Sequence, residues 1–242
     1  PSCRTLVGAA EPGRHQTPIV DQLWTRRLDA KKRAAEKAQR SPATVSPKER
    51  TVVAKTPQES AATITYEFSK EENEILRDKY RNPWGFLRVG RLLEDLDALA
   101  GTIAFEHCRS NNPLDEDLHI VTASVDRIKY MHRPNLKDDI TLSGQVTFVG
   151  RSSMEISMQA RSHWTDKRFM ESNFTFVARD SKTGRAAEIN ALKVSTPEEK
   201  AHFELGKERD ASRKEMRKKM QASVLGRALD ADGVAAAQEL LR

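Results

Sequence analysis

Residues 90–108, GRLLEDLDALAGTIAFEHC, constrain the fold of this chain more than any other stretch. Their apolar members Leu92, Leu93, Leu96, Leu99, Ala100, Ile103 and Ala104 recur at helical spacing. At ~100° per residue they cover roughly half the circumference, wider than the stripe of a surface helix. Asp95, Ala98, Thr102, Glu106 and Arg109 are expected on the opposite face. A rise of ~1.5 Å per residue makes such a helix about 28 Å long, enough to cross a small domain. Asp97 falls at the edge of the apolar arc, near the small residues Ala100, Gly101 and Ala104, and so is a candidate functional carboxylate. The competing reading is electrostatic, because Glu94, Asp95 and Asp97 near the helix start favour its positive end by about 0.3 kcal/mol or more each.

The pattern on either side of this helix differs. Before it, ATITYEF (residues 62–68) reads as a short strand, and residues 69–80 as an acidic stretch with a short helix ending near Tyr80. RNPWGFLRVG then forms a loop leading into the helix. After it, SNNPLDED is rich in turn residues, and from His119 the period changes from helical to alternating. HIVTASVDRIKYM, ITLSGQVTFVG, SMEISMQARSHW and FMESNFTFVARD are four long strand candidates joined by short turn segments, which predicts an antiparallel sheet. A charged helix is expected from Pro197 to about Met220, and a weak last helix over residues 231–241. One helix that buries most of its sides, beside a sheet long enough to wrap it, defines an α+β chain of hotdog architecture with helical N- and C-terminal extensions.

Low hydrophobic content (38%) and a mean hydropathy of −0.67 imply long polar extensions around a smaller core. Residues 1–80 hold 15 Lys and Arg against 11 Asp and Glu, so most of the net charge of +6 sits in an N-terminal arm. Such an arm is most simply a solvated segment, although RNA, a membrane surface or an acidic partner would also suit it. Within it, residues 1–16 read as disordered, Thr17-Pro18 opens an amphipathic helix carrying Ile19, Val20, Leu23, Trp24 and Leu28, and residues 41–60 read as a Pro-containing linker. The expected division is therefore an arm over 1–60, a hotdog domain over 61–195 and a charged helical extension over 196–242.

Cys3 and Cys108 make neither a disulfide framework nor a metal pair, and the six histidines never fall at metal-ligand spacing, so no metal or cofactor is expected. His107 reads as a core histidine. Serine-hydrolase, phosphate-loop, dinucleotide and zinc-protease motifs are absent, as is any run of the ~18 apolar residues that a membrane span needs. A signal peptide is not visible either.

RLLEDLDALAGTIAFEHC, IVTASVDRIKYMHRPN, LSGQVTFVGRSSMEI and STPEEKAHFELG together resemble the double-hotdog acyl-CoA thioesterases, and in particular their mitochondrial and plant branch, which carries segments like TPIVDQLW and KTP. The resemblance covers roughly residues 17–220 and only the first of the two hotdog halves. It implies hydrolysis of fatty acyl-CoA to free acid and CoA, with Asp97 as general base toward water and Asn82, 15 residues earlier (97 − 82), polarising the carbonyl or holding the water. The helix start near Gly90 would stabilise the oxyanion, and Ala100, Gly101 and Ala104 would leave room for the acyl tail. Arg151, Ser152 and Ser153 are the first candidates for the CoA phosphates, with Arg127 and Lys129 behind them. In the family the asparagine of one half faces the carboxylate of the other, so this chain is expected to pair as a homodimer or with a second hotdog half. Mitochondrial location follows from the branch, with plastid or cytoplasm as alternatives, and a nucleic-acid partner is not expected. The alternative function is a non-catalytic hotdog subunit that binds acyl-CoA or is anchored by its basic extensions in a larger assembly, RNA-containing or not.

Overall fold

The computed structural model describes residues 5–7, 52–109 and 118–226, with side chains to residue 220, and single helical positions between Thr25 and Glu36. The loop at 110–117, the last helix at 231–241 and most of the amphipathic N-terminal helix lie outside the described residues. Two compact units divide the chain, residues 1–203 and 204–242.

In chain order the first unit contains β1 (Thr5–Val7), β2 (Ala54–Lys55), α1 (Pro57–Ser60), β3 (Ala62–Tyr66), a 3-10 turn (Glu71–Asn73), α2 (Glu74–Lys79), α3 (Val89–Cys108), β4 (Leu118–Tyr130), β5 (Ile140–Val149), β6 (Ser153–Ser162), β7 (Arg168–Asp180) and β8 (Ala191–Leu192). The long helix α4 (Pro197–Gly226) begins in this unit and forms the described part of the second. The predicted central helix and the four long strands are all present, within about two residues of their expected ends.

Sheet order is β1-β3-β5-β6-β7-β4, antiparallel from β3 through β4, with β1 joining β3 in parallel and β4 at the far edge. The strand over Thr5–Val7 corrects the expectation of a structureless first segment. Period-2 alternation puts Met154, Ile156, Met158 and Ala160 of β6 and Met170, Phe174, Phe176 and Ala178 of β7 on one face, all buried around α3. From the helix, Leu92, Leu96, Leu99, Ala100, Ile103 and Ala104 complete that core with no exposure. The sheet curls around the helix, which is the hotdog arrangement expected from the element order.

At Gly144 of β5 the helix and the neighbouring strand leave no room for a side chain. A β-carbon there would meet the Met158 sulfur, the Ser157 carbonyl oxygen at 2.9 Å and Cδ1 of Ile103 at 3.1 Å, so only glycine fits.

The C-terminal end of α3 is held by Lys55, from the stretch expected to be linker, and by Asn190 of the domain. Lys55 Nζ donates to the carbonyls of Glu106 and Arg109, each at 2.5 Å, and Asn190 Nδ2 donates to the carbonyl of His107 at 2.7 Å. These bonds satisfy carbonyls that a helix end leaves without partners. Residues 54–60 therefore belong to structured elements, with β2 pairing β8 in parallel, and this corrects the linker reading for that stretch. Burial lowers the Lys55 ammonium below its ordinary range, against the nearby Glu106 and Glu59 carboxylates. His107 is a core histidine, as expected, with Nε2 2.9 Å from the Asn190 carbonyl oxygen.

Candidate active site

Asn82 sits in the loop between α2 and α3, and the loop closes on itself. Arg88 N–H donates to the Tyr80 carbonyl at 2.6 Å, and Asn82 N–H donates to the Phe86 carbonyl at 2.8 Å. Gly85 supplies the turn with φ of 81°, a left-handed conformation open to glycine. Side-chain Oδ1 of Asn82 accepts from the N–H groups of Trp84 (3.0 Å) and Phe86 (2.9 Å). Two N–H donors require an acceptor at that position, so the amide orientation is fixed and its NH2 group points away from the loop. Beside it opens a cleft of about 500 Å3 lined by Asn82, Trp84, Phe86, Leu87, Val89, Tyr130 and Arg133, with the Arg133 guanidinium 5.0 Å from the centre of the Phe86 ring.

The two central-helix aspartates take positions opposite to those expected. Asp97 is exposed, and its Oδ1 accepts a hydrogen bond of 3.1 Å from the Thr122 hydroxyl of β4. Asp95 has no exposure and lies in the core. Helical geometry gives the reason: position 95 follows Leu92 by three and precedes Leu99 by four, which places it inside the buried stripe, whereas 97 lies a further ~200° round. Burial of a carboxylate is costly unless it is hydrogen-bonded. Asp95 meets that need with the Tyr66 and Tyr80 hydroxyls, both of which donate to its Oδ2, the second at 2.5 Å. Burial first, and then the Asp95 charge, raise both phenols above their ordinary range.

Asn82 and Asp97 are not side by side within one chain. Val89, on the cleft with Asn82, is eight residues from Asp97, about 12 Å along a helix. Tyr130, on the same cleft, is eight residues from Thr122, roughly 20–26 Å along β4.

Gly90 is the second residue of α3 and exposed, so its N–H is among the four that an α-helix leaves without an internal partner. Ala100 and Ala104 are wholly buried among core side chains, and the cleft described above opens beside Asn82 instead.

The basic candidates fall into two places. Arg151 and Ser152 lie in the turn between β5 and β6 and Ser153 opens β6, and the register Ser153–Val177–Val121 sets that turn level with the Asp97 end of β4. Arg127 and Lys129 lie toward the Asn82 end, where Lys129 pairs Glu171, which pairs Gln159. Arg127 has a φ of 47° in the bulge between Asp126 and Lys129, a strained conformation for a residue with a side chain. Exposed side chains at Arg127, Lys129 and Arg151 all face solvent in the single chain.

Sequence reasoning missed Thr122, Tyr66 and Tyr80. Thr122 was visible only as one polar member of an alternating strand, and the tyrosines only as strand and helix-end aromatics.

Comparison with known proteins then bears on this geometry. Residues 85–163 match the family model described as "Thioesterase superfamily". Acyl-coenzyme A thioesterase 4, mitochondrial, of Humulus lupulus is 41% identical over 216 residues, which is 87% of this chain and 40% of that protein. Acyl-coenzyme A thioesterase 2, chloroplastic, of the same plant is 39% identical over 85% of this chain and 47% of its own length. This chain thus spans less than half the length of these curated relatives. Among solved structures, an apo-hexameric acyl-CoA thioesterase superposes with a TM-score of 0.55 at 26% identity, over 69% of this chain and 98% of that one. A Staphylococcus aureus acyl-CoA hydrolase, solved with butyryl coenzyme A and coenzyme A, shares the fold with a TM-score of 0.56 at 22% identity, over 71% and 96%. Among the described residues, no helix is long and apolar enough to cross a membrane.

Proposed function

We propose that this chain, which carries a hotdog domain of the thioesterase superfamily, hydrolyses acyl-CoA to a fatty acid and CoA. The observation that carries the reading is the Asn82 amide. With its oxygen committed to two loop N–H groups, it can act toward a ligand only as a donor, and a thioester carbonyl oxygen is an acceptor. Asp97, exposed and oriented by Thr122, supplies the complementary base.

In the reaction, Asp97 takes a proton from water while the oxygen adds to the thioester carbonyl carbon. Charge developing on the carbonyl oxygen is met by Asn82 Nδ2 and by the N–H groups at the start of α3 near Gly90. The C–S bond then breaks, the thiolate of CoA leaves, and the proton held by Asp97 returns to it. The cation of Arg151, with the Ser152 and Ser153 hydroxyls, is suited to the CoA phosphates on the Asp97 side, and Arg127 and Lys129 to the approach from the other end.

Because the two groups lie apart in one chain, the site is composed from two hotdog halves. β4 is an edge strand with Val121, Val125, Ile128 and Tyr130 exposed, an apolar edge of the kind that pairs with another strand. Antiparallel pairing of two such edges about a two-fold axis at Asp126 sets residue i opposite 252 − i, which brings Tyr130 of one copy opposite Thr122 of the other. That register carries the Asn82 cleft of one half to Asp97 of its partner. A homodimer, or pairing with a second hotdog half, meets this requirement equally. The hotdog domain proper is assigned to residues 61–195, with β2 and α1 at the end of the 1–60 arm joined to it and the extension at 196–242 after it. A mitochondrial location, with the plastid as alternative, is supported by the names of the relatives at about 40% identity.

The test is thiol release from short-, medium- and long-chain acyl-CoAs by the wild-type chain and by Asp97→Asn and Asn82→Ala. Each substitution should lower kcat by ~10²-fold or more, leaving a small measurable residual turnover. Mixing the two impaired proteins should restore about one quarter of wild-type activity if sites form between copies, since half the dimers are mixed and each has one intact site. Turnover that survives Asp97→Asn removes it as the base.

A further inference from the structure

Tyr80 and Asp95, we infer, are positioning residues that aim the Asn82 loop; the assignment rests on the reading of Asn82 as a carbonyl donor. The loop is internally rigid, with Asn82 bonded to Trp84 and Phe86 and an isolated bridge between Arg81 and Leu87. Those bonds fix its shape, and its placement is set at its two ends: Leu87, buried in the core, anchors the side that runs into α3, and Tyr80 anchors the other. Tyr80 both begins the loop and closes it by accepting the Arg88 N–H at 2.6 Å. The Tyr80 ring has no exposure, lies 5.2 Å from Phe68 and 4.9 Å from Tyr66, and donates its hydroxyl to Asp95 on α3 at 2.5 Å.

A leucine at position 95 would extend the stripe of Leu92 and Leu99 and occupy the same buried place by packing. Packing alone, however, fixes no direction. A carboxylate accepting from a phenol fixes distance and angle together, and it does so at the residue that opens the Asn82 loop. Tyr66 provides the comparison: it donates to the same Asp95 oxygen from β3 and lies 2.9 Å from the Tyr80 hydroxyl, but it carries no part of the loop, and Tyr66→Phe keeps its ring against Tyr80.

The experiment compares wild type, Tyr80→Phe, Tyr66→Phe, Asn82→Ala and the Tyr80→Phe/Asn82→Ala double variant in steady-state acyl-CoA hydrolysis, with a melting curve for each. A misplacement of about 1 Å in a positioned group costs up to about 100-fold in rate, so Tyr80→Phe should lower kcat by roughly 10- to 100-fold with KM within about twofold. Tyr66→Phe should leave kcat near wild type while lowering Tm comparably. In the Asn82→Ala background, Tyr80→Phe should add no further loss, because it acts through Asn82. Equal kcat losses in the two tyrosine variants, or a Tyr80→Phe loss that multiplies with that of Asn82→Ala, would overturn the inference. If the wild-type chain turns over no acyl-CoA, the functional reading of Asn82 fails separately, and aiming is read directly from the loop. With Trp24→Phe and Trp164→Phe leaving Trp84 as sole indole, time-resolved anisotropy should show wider loop motion in Tyr80→Phe than in Tyr66→Phe. No difference between the two would sink the assignment.

Discussion

Asp95 and Asp97 sit two residues apart on one helix, carry the same group and live in opposite surroundings. Asp95 is sealed in the core with two phenol donors, while Asp97 faces outward with one threonine donor. A helix advances ~200° in two residues, so this separation sets one carboxylate inside and the other on nearly the opposite side. The comparison teaches that the helix divides its labour by angle. Its inner face secures the body of the fold, and its outer face carries the carboxylate proposed as the base.

Four measurements break or sharpen that division. The largest effect is expected for Asp97→Asn, which should lower kcat by ~10²–10⁴-fold, the range of a lost general base, with a stability change within about 0.5 kcal/mol. A comparable loss of stability in urea unfolding would contradict the outward role. Asp95→Ala should do the reverse, destabilising by about 2–5 kcal/mol because two buried hydroxyls lose their acceptor; denaturant midpoints read this directly. Thr122→Val removes one hydrogen bond to a charged group, worth about 1.5 kcal/mol, so a fall in kcat of roughly tenfold is expected, with folding intact. The smallest effect concerns alkaline pH. Tyr66 and Tyr80 hold their protons above the ordinary range in the folded state, so the unfolded chain releases them first, from about pH 10. Their contribution to stability is complete below that pH and declines as pH rises toward their folded values. Tyr66→Phe and Tyr80→Phe should each flatten the fall in unfolding free energy between about pH 9.5 and 11.5, and an unchanged slope would mean that the phenols are not coupled to folding.

Periodicity made the body of the fold legible. Apolar residues at helical spacing marked α3, and alternation in β4 to β7 marked the sheet, because both patterns are written in adjacent residues. What could not be read from them was partnership. Tyr66 and Tyr80 stand 29 and 15 residues from Asp95, and without them a buried aspartate looks like a surface one. Thr122 stands 25 residues from Asp97. Lys55 and Asn190, which cap the same helix end, come from opposite sides of the domain in sequence, and a stretch containing Pro57 read as linker because its role is set by distant carbonyls. The fixed orientation of the Asn82 amide likewise depends on a turn at Gly85 rather than on any pattern in RNPWGF.

Gly144 has a consequence for how the sheet finds its alignment. Neighbouring positions in β5 are Ser143 and Gln145, each with a β-carbon where the crossing leaves room for none. A slip of β5 by one residue against the helix would force such a carbon toward Ile103 and the Met158 sulfur, besides turning every core side chain outward. A missing side chain thus serves as an index mark: of the many ways this strand could slide along its neighbours, only one brings the notch beneath the ridge of the helix.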